Sequence, residues 1–264
     1  MKAYQVSSGK TVTKPRSYAL LVILGLLAFT ILSIKITGFD ARRLAERGYE
    51  FFTILRKMVP PKVSYVSSIW KPLFDTIKMS LLGSLIGSVL AVPFAALAAS
   101  NIIRNRVVTA LIRLFLSFVR TLPTLVTALI ATYIFGLGTV AGTTAIAVFT
   151  FAYVGKTLYE QIETVDMGAY EAMEALGCGR FLAFRQAVVP QVLPAYLSVC
   201  LFCFEGNVRY ASILGYVGAG GLGLILSENI GWREYDKVGM ILLMLFLTVV
   251  AVEGISHYLR RKLI

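Results

Sequence analysis

The sequence predicts an all-α polytopic membrane protein, on the evidence of its composition, its apolar runs and the placement of its positive charges. Of its 264 residues, 57% are hydrophobic and 15% are charged, and the mean hydropathy is +0.76. Soluble chains carry about 25% charged residues. The apolar excess is gathered into about six long runs, each of the length that a membrane-spanning helix needs. This composition excludes a disordered tail, a disulfide scaffold and a nucleic-acid-binding module.

The chain begins with a basic tail, residues 1–17, followed by a first apolar run at residues 18–36, which carries one charge, Lys35. A secretory signal peptide would have a shorter apolar core and a small-residue cleavage site. We therefore expect the run to be an uncleaved transmembrane helix.

Residues 37–73 form the predicted extracytoplasmic segment, in which Leu44, Phe51 and Leu55 fall on one helical face before Pro60-Pro61. This spacing indicates an amphipathic helix. It fits a helix lying on the membrane interface and an ectodomain helix packed on the bundle equally well.

Residues 74–264 form the predicted core, which contains five further spans. They lie at about residues 74–99, 108–135, 139–155, 192–215 and 238–258. The run at 108–135 is long enough to tilt in the membrane or to begin as an interfacial segment. The first of these contains Gly83 and Gly87, a G-x-x-x-G spacing that allows close helix packing but often arises by chance.

The positive charges orient these spans, because loops on the cytoplasmic side carry an excess of Lys and Arg. The tail, the turn with Arg104 and Arg106, and the C-terminal residues 260–262 are all basic. With six spans they lie on one side, which predicts cytoplasmic N- and C-termini. The formal charge of +12 is then largely a topology signal and does not indicate nucleic acid as a partner.

The segment at residues 156–191 is the sizeable cytoplasmic loop of this topology. Ala169–Leu176 favours a helix, Gly177 and Gly179 allow a turn, and Arg180–Val188 favours a second helix before Pro190. The loop holds five acidic and three basic residues, against the positive trend elsewhere. This charge balance indicates that something other than lipid faces the loop.

The loop resembles the EAA loop of ABC importer permeases, whose pattern is Glu-Ala-Ala, three residues, Gly, nine residues and then Ile-x-Leu-Pro. Glu171-Ala172, Gly177 and Pro190 match it, whereas Met173, Ala187 and Val189 replace its second Ala, its Ile and its Leu. The resemblance implies the fold of a type I ABC importer permease. It also implies that Glu171, Ala172 and Gly177 contact an ATPase subunit.

Further motifs resemble the phosphonate ABC transporter permease over roughly residues 55–264. They are Met58-Val59-Pro60-Pro61, Arg120-x-x-Pro123, Gly136-Leu137-Gly138, Phe204-Glu205-x-Asn207-Val208-Arg209 and Gly215-x-Val217-Gly218-Ala219-Gly220-Gly221-x-Gly223. Thr121 and Thr124 stand where more polar or acidic residues are expected, which leaves the ligand open among phosphonate, phosphite and phosphate.

The resemblance also implies a division of labour among subunits in a bacterial-type cytoplasmic membrane. A second copy of the chain, two ABC ATPase subunits and an extracytoplasmic substrate-binding protein are the expected partners, besides membrane lipid. ATP and Mg²⁺ are expected on the ATPase subunits. For this chain we expect no enzyme activity of its own, and no catalytic, cofactor-binding or metal-binding residues.

The candidate translocation pathway contains Glu205, Asn207 and Arg209 on the fifth predicted span, and Arg120 on the third. Glu205 and Arg209 are one helical turn apart, so they form either a structural ion pair or part of a polar passage. An unpaired charge at the bilayer centre costs about 2.5–3.5 kcal/mol. Arginine suits phosphoryl oxygens because its guanidinium donates in a fork. Arg120 either contributes to this passage or extends from a helix end to the interface.

The glycine-rich segment after Arg209 is the candidate gating loop, represented by Gly218, Gly220 and Gly221. Irregular backbone at membrane depth must be buried in protein or line water. A flexible loop at a broken helix end and a tight exterior turn both fit this composition.

Several other functions are less compatible with the sequence. A stand-alone secondary transporter or channel would usually show internal repeats, and an intramembrane hydrolase would need a convincing set of catalytic residues. The G-x-G-x-x-G at Gly218 does not open a βαβ unit. Cys200 and Cys203 fit packing better than redox chemistry, and Glu253 with His257 is too small a set for zinc.

Overall fold

The computed structural model describes residues 3–5, 11–13 and 18–263. The chain divides into two compact units, Met1–Arg56 and Lys57–Ile264.

The first unit contains a short hairpin and two helices. Strands β1 (Ala3–Gln5) and β2 (Thr11–Thr13) pair antiparallel, with Tyr4 opposite Val12. Helix α1 (Ala19–Thr37) is apolar around its whole circumference, and none of its residues is buried. It ends at Gly38, which adopts the left-handed conformation common after helices.

Helix α2 (Ala41–Lys57) occupies the segment where the sequence predicts an amphipathic helix. Asp40 begins it by accepting the backbone N–H of Arg42 at 3.0 Å. Leu44, Phe51 and Leu55 are exposed on its apolar face.

The second unit is a helical bundle built around two long helices, α3 (Val66–Ala98) and α6 (Thr139–Glu163). Gly83 and Gly87 bring them together: a Cβ added at Gly83 would lie 2.7 Å from Ile146 Cγ2, and one at Gly87 would lie 2.8 Å from Thr150 Cβ. The G-x-x-x-G spacing therefore marks a close helix contact in this fold.

The remaining elements complete the bundle in chain order. They are α4 (Arg106–Thr121), α5 (Thr124–Phe135), α7 (Gly168–Ala175), α8 (Arg180–Ala183), a π-helical turn (Phe184–Val188), α9 (Val189–Leu214), a 3-10 turn (Gly215–Val217), α10 (Leu222–Gly231) and α11 (Tyr235–Leu263). The end of the bundle that carries α7 is called the loop end, and the end that carries residues 215–221 is called the glycine end.

Within the described residues, four helices are long and apolar enough to cross a membrane, judged by length and composition alone. They are α1, α3, α9 and α11, and the α4–α5 pair makes five if it forms one broken span. The span predicted at residues 139–155 corresponds to α6, which is less apolar. Because α6 packs against α3, α4, α5 and α9, its small and polar residues face protein instead of lipid.

The structure divides the apolar run at residues 108–135 into two helices, because α4 and α5 meet at an angle of 86°. Leu122 and Pro123 separate them in extended conformation. Proline disfavours a helical residue before it, which explains the break inside an apolar run. In addition, α3 corresponds to the span predicted at residues 74–99, and it begins at Val66, eight residues before the predicted start.

Candidate functional site

The loop between α6 and α9 presents the residues of the EAA-like motif on its surface. Glu171 and Ala172 lie exposed on α7, and Gly177 lies exposed just after it. Gly177 has a φ of +83°, and its N–H donates to the Glu174 carbonyl at 3.0 Å while Cys178 N–H donates to Met173. Glycine at this position ends the helix at little cost. The exposed motif is therefore held in one defined shape.

Tyr170 anchors α7 to the bundle from the opposite face. Its side chain is 4% exposed and packs in the apolar cluster with Ile162 and Val188. Its hydroxyl donates to Glu174 Oε1 at 3.4 Å, and Glu174 pairs with Arg180 at 3.3 Å. Burial, followed by the nearby Glu174 carboxylate, raises the pKa of the Tyr170 hydroxyl above its ordinary value. The loop is thus tied both to the core and across its own turn.

A polar cluster at the base of the loop joins α6 to the α3–α4 turn. The Glu163 carboxylate accepts the Ser100 backbone N–H at 2.8 Å, the Ser100 hydroxyl and the Arg113 guanidinium. Arg113 also donates to the Ala98 carbonyl at 2.9 Å, and Asn101 donates to the Ile162 carbonyl at 2.7 Å. These contacts therefore join the base of the loop to α3, α4 and α6.

The second candidate region is a charge cluster around Glu205, inside the apolar length of α9. The Glu205 side chain is 7% exposed, and its two oxygens contact different arginines: Oε1 contacts Arg209 at 2.7 Å and Oε2 contacts Arg260 at 3.1 Å. The predicted pair of Glu205 and Arg209 is present, and Arg260 extends it to a cluster of three charged residues. Arg260 belongs to the basic C-terminal end, which the sequence analysis interprets as a topology signal. The contact with Glu205 depends on how α11 packs on α9, which the sequence does not show.

Asn207 is not brought together with this cluster, although the sequence places it in the same motif. It is 2% exposed, and its side-chain amide donates to Ser84 Oγ at 2.8 Å and to Thr150 Oγ1 at 2.9 Å. These bonds connect α9 with α3 and α6. Arg120 lies apart as well, exposed in the last turn of α4 before the bend.

The glycine segment at residues 215–221 is a close-packed turn against α3 and the start of α6. Gly218, Gly220 and Gly221 have φ values of +75°, +78° and +71°. A Cβ at Gly221 would lie 2.6 Å from Thr76 Oγ1, and the Gly138 N–H donates to the Gly218 carbonyl at 3.0 Å. The geometry requires glycine for both backbone conformation and space.

The bundle, its broken span and its exposed helical loop define the class of the chain as a polytopic helical membrane protein. A family profile described as "Binding-protein-dependent transport system inner membrane component" matches residues 91–264. The chain belongs to this family, the permease subunits of ABC importers, and has the type I importer permease fold.

Comparisons with individual proteins agree with this assignment. The chain is 32% identical over 212 residues to a phosphate-import permease protein of Mycolicibacterium smegmatis, covering 80% of this chain and 40% of that protein. It is 33% identical over 222 residues to a phosphite transport system permease protein of Stutzerimonas stutzeri, covering 84% of this chain and 81% of that protein. The permease chain in a structure of the MetNI methionine ABC transporter in inward-facing conformations shares the fold, with a TM-score of 0.69 and 19% identity, over 77% of this chain and 99% of that chain.

Proposed function

We propose that the chain forms the translocation pathway of an ATP-driven importer for phosphonate or a related phosphorus oxyanion. Three arguments support this solute class: the resemblance to phosphonate permeases, the phosphate and phosphite permeases among its relatives, and the arginines on Glu205. The Arg209–Glu205–Arg260 cluster carries the proposal, because two guanidiniums meet there, one from α9 and one from the basic last turn of α11, and paired guanidiniums suit an anionic solute.

The structure narrows the predicted loop at residues 156–191 to residues 164–188, between α6 and α9, and this segment is called the coupling loop. It would dock on an ATPase subunit through Glu171, Ala172 and Gly177. Two such subunits, two copies of this chain and an extracytoplasmic binding protein would make up the transporter. ATP and Mg²⁺ would bind the ATPase subunits. Closure of those subunits would move the loops, and the Glu163 and Tyr170 contacts would pass that movement to the bundle.

The orientation follows from the charges: both termini and the coupling loop would face the cytoplasm. Arg209 and Arg120 would line the passage with Glu205. The packed turn at Gly218, Gly220 and Gly221 would act as a rigid outer gate that moves together with α3 and α6.

The decisive experiment reconstitutes the permease, ATPase and binding protein in liposomes and measures ATP hydrolysis with methylphosphonate, phosphite, phosphate and sulfate. We expect stimulation by at least one phosphorus oxyanion and none by sulfate. Stimulation by another small solute alone would replace the substrate assignment. Transport by this chain without any ATPase would instead establish a stand-alone transporter or channel.

A further inference from the structure

The charge cluster around Glu205 contains more positive charge than is needed to neutralise one carboxylate. Glu205 could be balanced by Arg209 alone, which lies one turn away on the same helix. Arg260 arrives from α11 and adds a second guanidinium on the other carboxylate oxygen. One net positive charge therefore remains where the neighbouring residues 197–204 and 210–214 of α9 carry no charge. Such a charge is costly at membrane depth unless it faces water or pairs with an anion, so its presence is consistent with a binding site.

The two arginines also retain hydrogen-bond donors for a ligand. A guanidinium has five N–H donors. Among the described residues, Arg209 donates to Glu205 and Arg260 donates to Glu205 and to the Ser256 carbonyl, the latter at 3.4 Å. The side chains of Arg209 and Arg260 are 51% and 25% exposed, whereas the carboxylate between them is buried. Glu205 thus fixes two guanidiniums from the protein side while their other donors stay accessible.

The space beside Arg209 is kept open by a small residue. Apart from its two chain neighbours and its own helix backbone, a Cβ added at Gly206 would meet one atom within 4 Å, Cε2 of the exposed Tyr210 ring at 3.9 Å. A ligand can therefore approach this face of α9 closely.

We infer that Arg209 and Arg260, held in position by Glu205, form a transit site for a tetrahedral phosphorus oxyanion. The inference rests on the proposed function and adds Arg260 and a carboxylate counter-charge to it. Two guanidiniums can donate to separate oxygens of one phosphonate, phosphite or phosphate ion. The negative charge of Glu205 competes with the bound anion, which keeps affinity low enough for the anion to leave, as conduction requires.

Direct binding is tested on the purified permease–ATPase complex without binding protein or nucleotide. Saturation-transfer NMR on the methyl group of methylphosphonate detects weak binding. Added phosphite should displace methylphosphonate and so reduce the signal. We expect Arg260→Gln and Arg209→Gln to weaken binding about tenfold, with Arg260→Lys less affected because it keeps the charge. Arg261→Gln is the matched control, because Arg261 is exposed and lies one residue after Arg260. This variant should bind methylphosphonate as tightly as the unmodified protein does.

Glu205→Gln distinguishes a transit site from a purely structural charge cluster, because only a transit site should show a change in methylphosphonate affinity in this direction. Removing the competing carboxylate should tighten methylphosphonate binding and slow ATP-driven uptake in liposomes. Co-purification with the ATPase, compared with the Arg261→Gln control, verifies that each variant assembles. If the two Arg→Gln variants assemble poorly, Arg260→Lys and Glu205→Gln decide the question by their opposite shifts in affinity.

The outcomes separate this inference from the proposed function. A wild-type complex that takes up no phosphorus oxyanion would disprove the function itself. A wild-type complex that transports methylphosphonate, with unchanged binding in Arg260→Gln, Arg209→Gln and Glu205→Gln, would overturn the transit site alone.

Discussion

Asn207 illustrates how a single polar residue can link three helices of this bundle. The amide is buried between α3 and α6, and each of its two bonds crosses to a different helix. Ser80 adds a third link by donating to the Asn207 carbonyl at 3.3 Å. Away from water, such groups must find partners inside the protein. Asn207 lies two positions after Glu205 and therefore on nearly the opposite face of α9, because residues two positions apart in a helix are rotated by about 200° around its axis.

Replacing Asn207 with Ala should therefore reduce stability more than it reduces substrate affinity. We expect a loss of about 1–2 kcal/mol in the free energy of unfolding, because Ser84 and Thr150 lose a partner. Thermal unfolding of the detergent-purified protein measures it, with Thr144→Ala on α6 as the control. Ser84→Ala should cost little in the Asn207→Ala background, since the bond is already lost. Additive losses would contradict the pairing.

At the scale of elements, the sequence predicted those features that depend on local pattern. The sequence predicts the coupling loop as a helix, a turn and a second helix, and the structure has α7, Gly177 and α8 there. Glycine and proline end helices through their own backbone preferences, so these boundaries can be predicted locally. The break at Leu122 was missed because hydropathy averages over an apolar run and carries no direction. The Arg260 contact was missed for a different reason: it joins residues 55 apart, and no local pattern encodes how α11 packs on α9.

Tyr170 should determine whether the loop transmits force, because it is the buried side chain of α7. Tyr170→Ala removes most of the ring contact with the core, and we expect it to lower substrate-stimulated ATP hydrolysis at least several-fold while basal hydrolysis persists. Tyr170→Phe should behave nearly as the unmodified protein, because the ring supplies the packing and the 3.4 Å hydrogen bond is weak. A defect of equal size in both variants would assign the role to the hydroxyl instead.

At the scale of the whole molecule, the fold shows which basic segments share one end of the bundle, and this grouping supports the proposed orientation. The bond between Ser100 and Glu163 places the basic α3–α4 turn beside the start of the coupling loop, so Arg104 and Arg106 share the loop end with α7. The chain then leaves the loop end through α9 and passes the turn between α10 and α11, which contains Arg233, at the other end. Positive charge at the loop end favours the cytoplasm for that end.

Cysteine labelling tests this orientation and the ATPase contact together. In a Cys200→Ala, Cys203→Ala background, Cys178 is the remaining cysteine, and it lies directly after Gly177 in the coupling loop. An impermeant maleimide should reach Cys178 only from the cytoplasmic side, and bound ATPase subunits should protect it if they dock on the EAA-like motif as proposed. Arg233→Cys, with Cys178 also replaced by Ala, should be labelled only from the opposite side and without protection. Labelling of both positions from one side would refute the orientation. Correct sidedness without protection of Cys178 would leave the orientation standing and remove the loop from the ATPase interface.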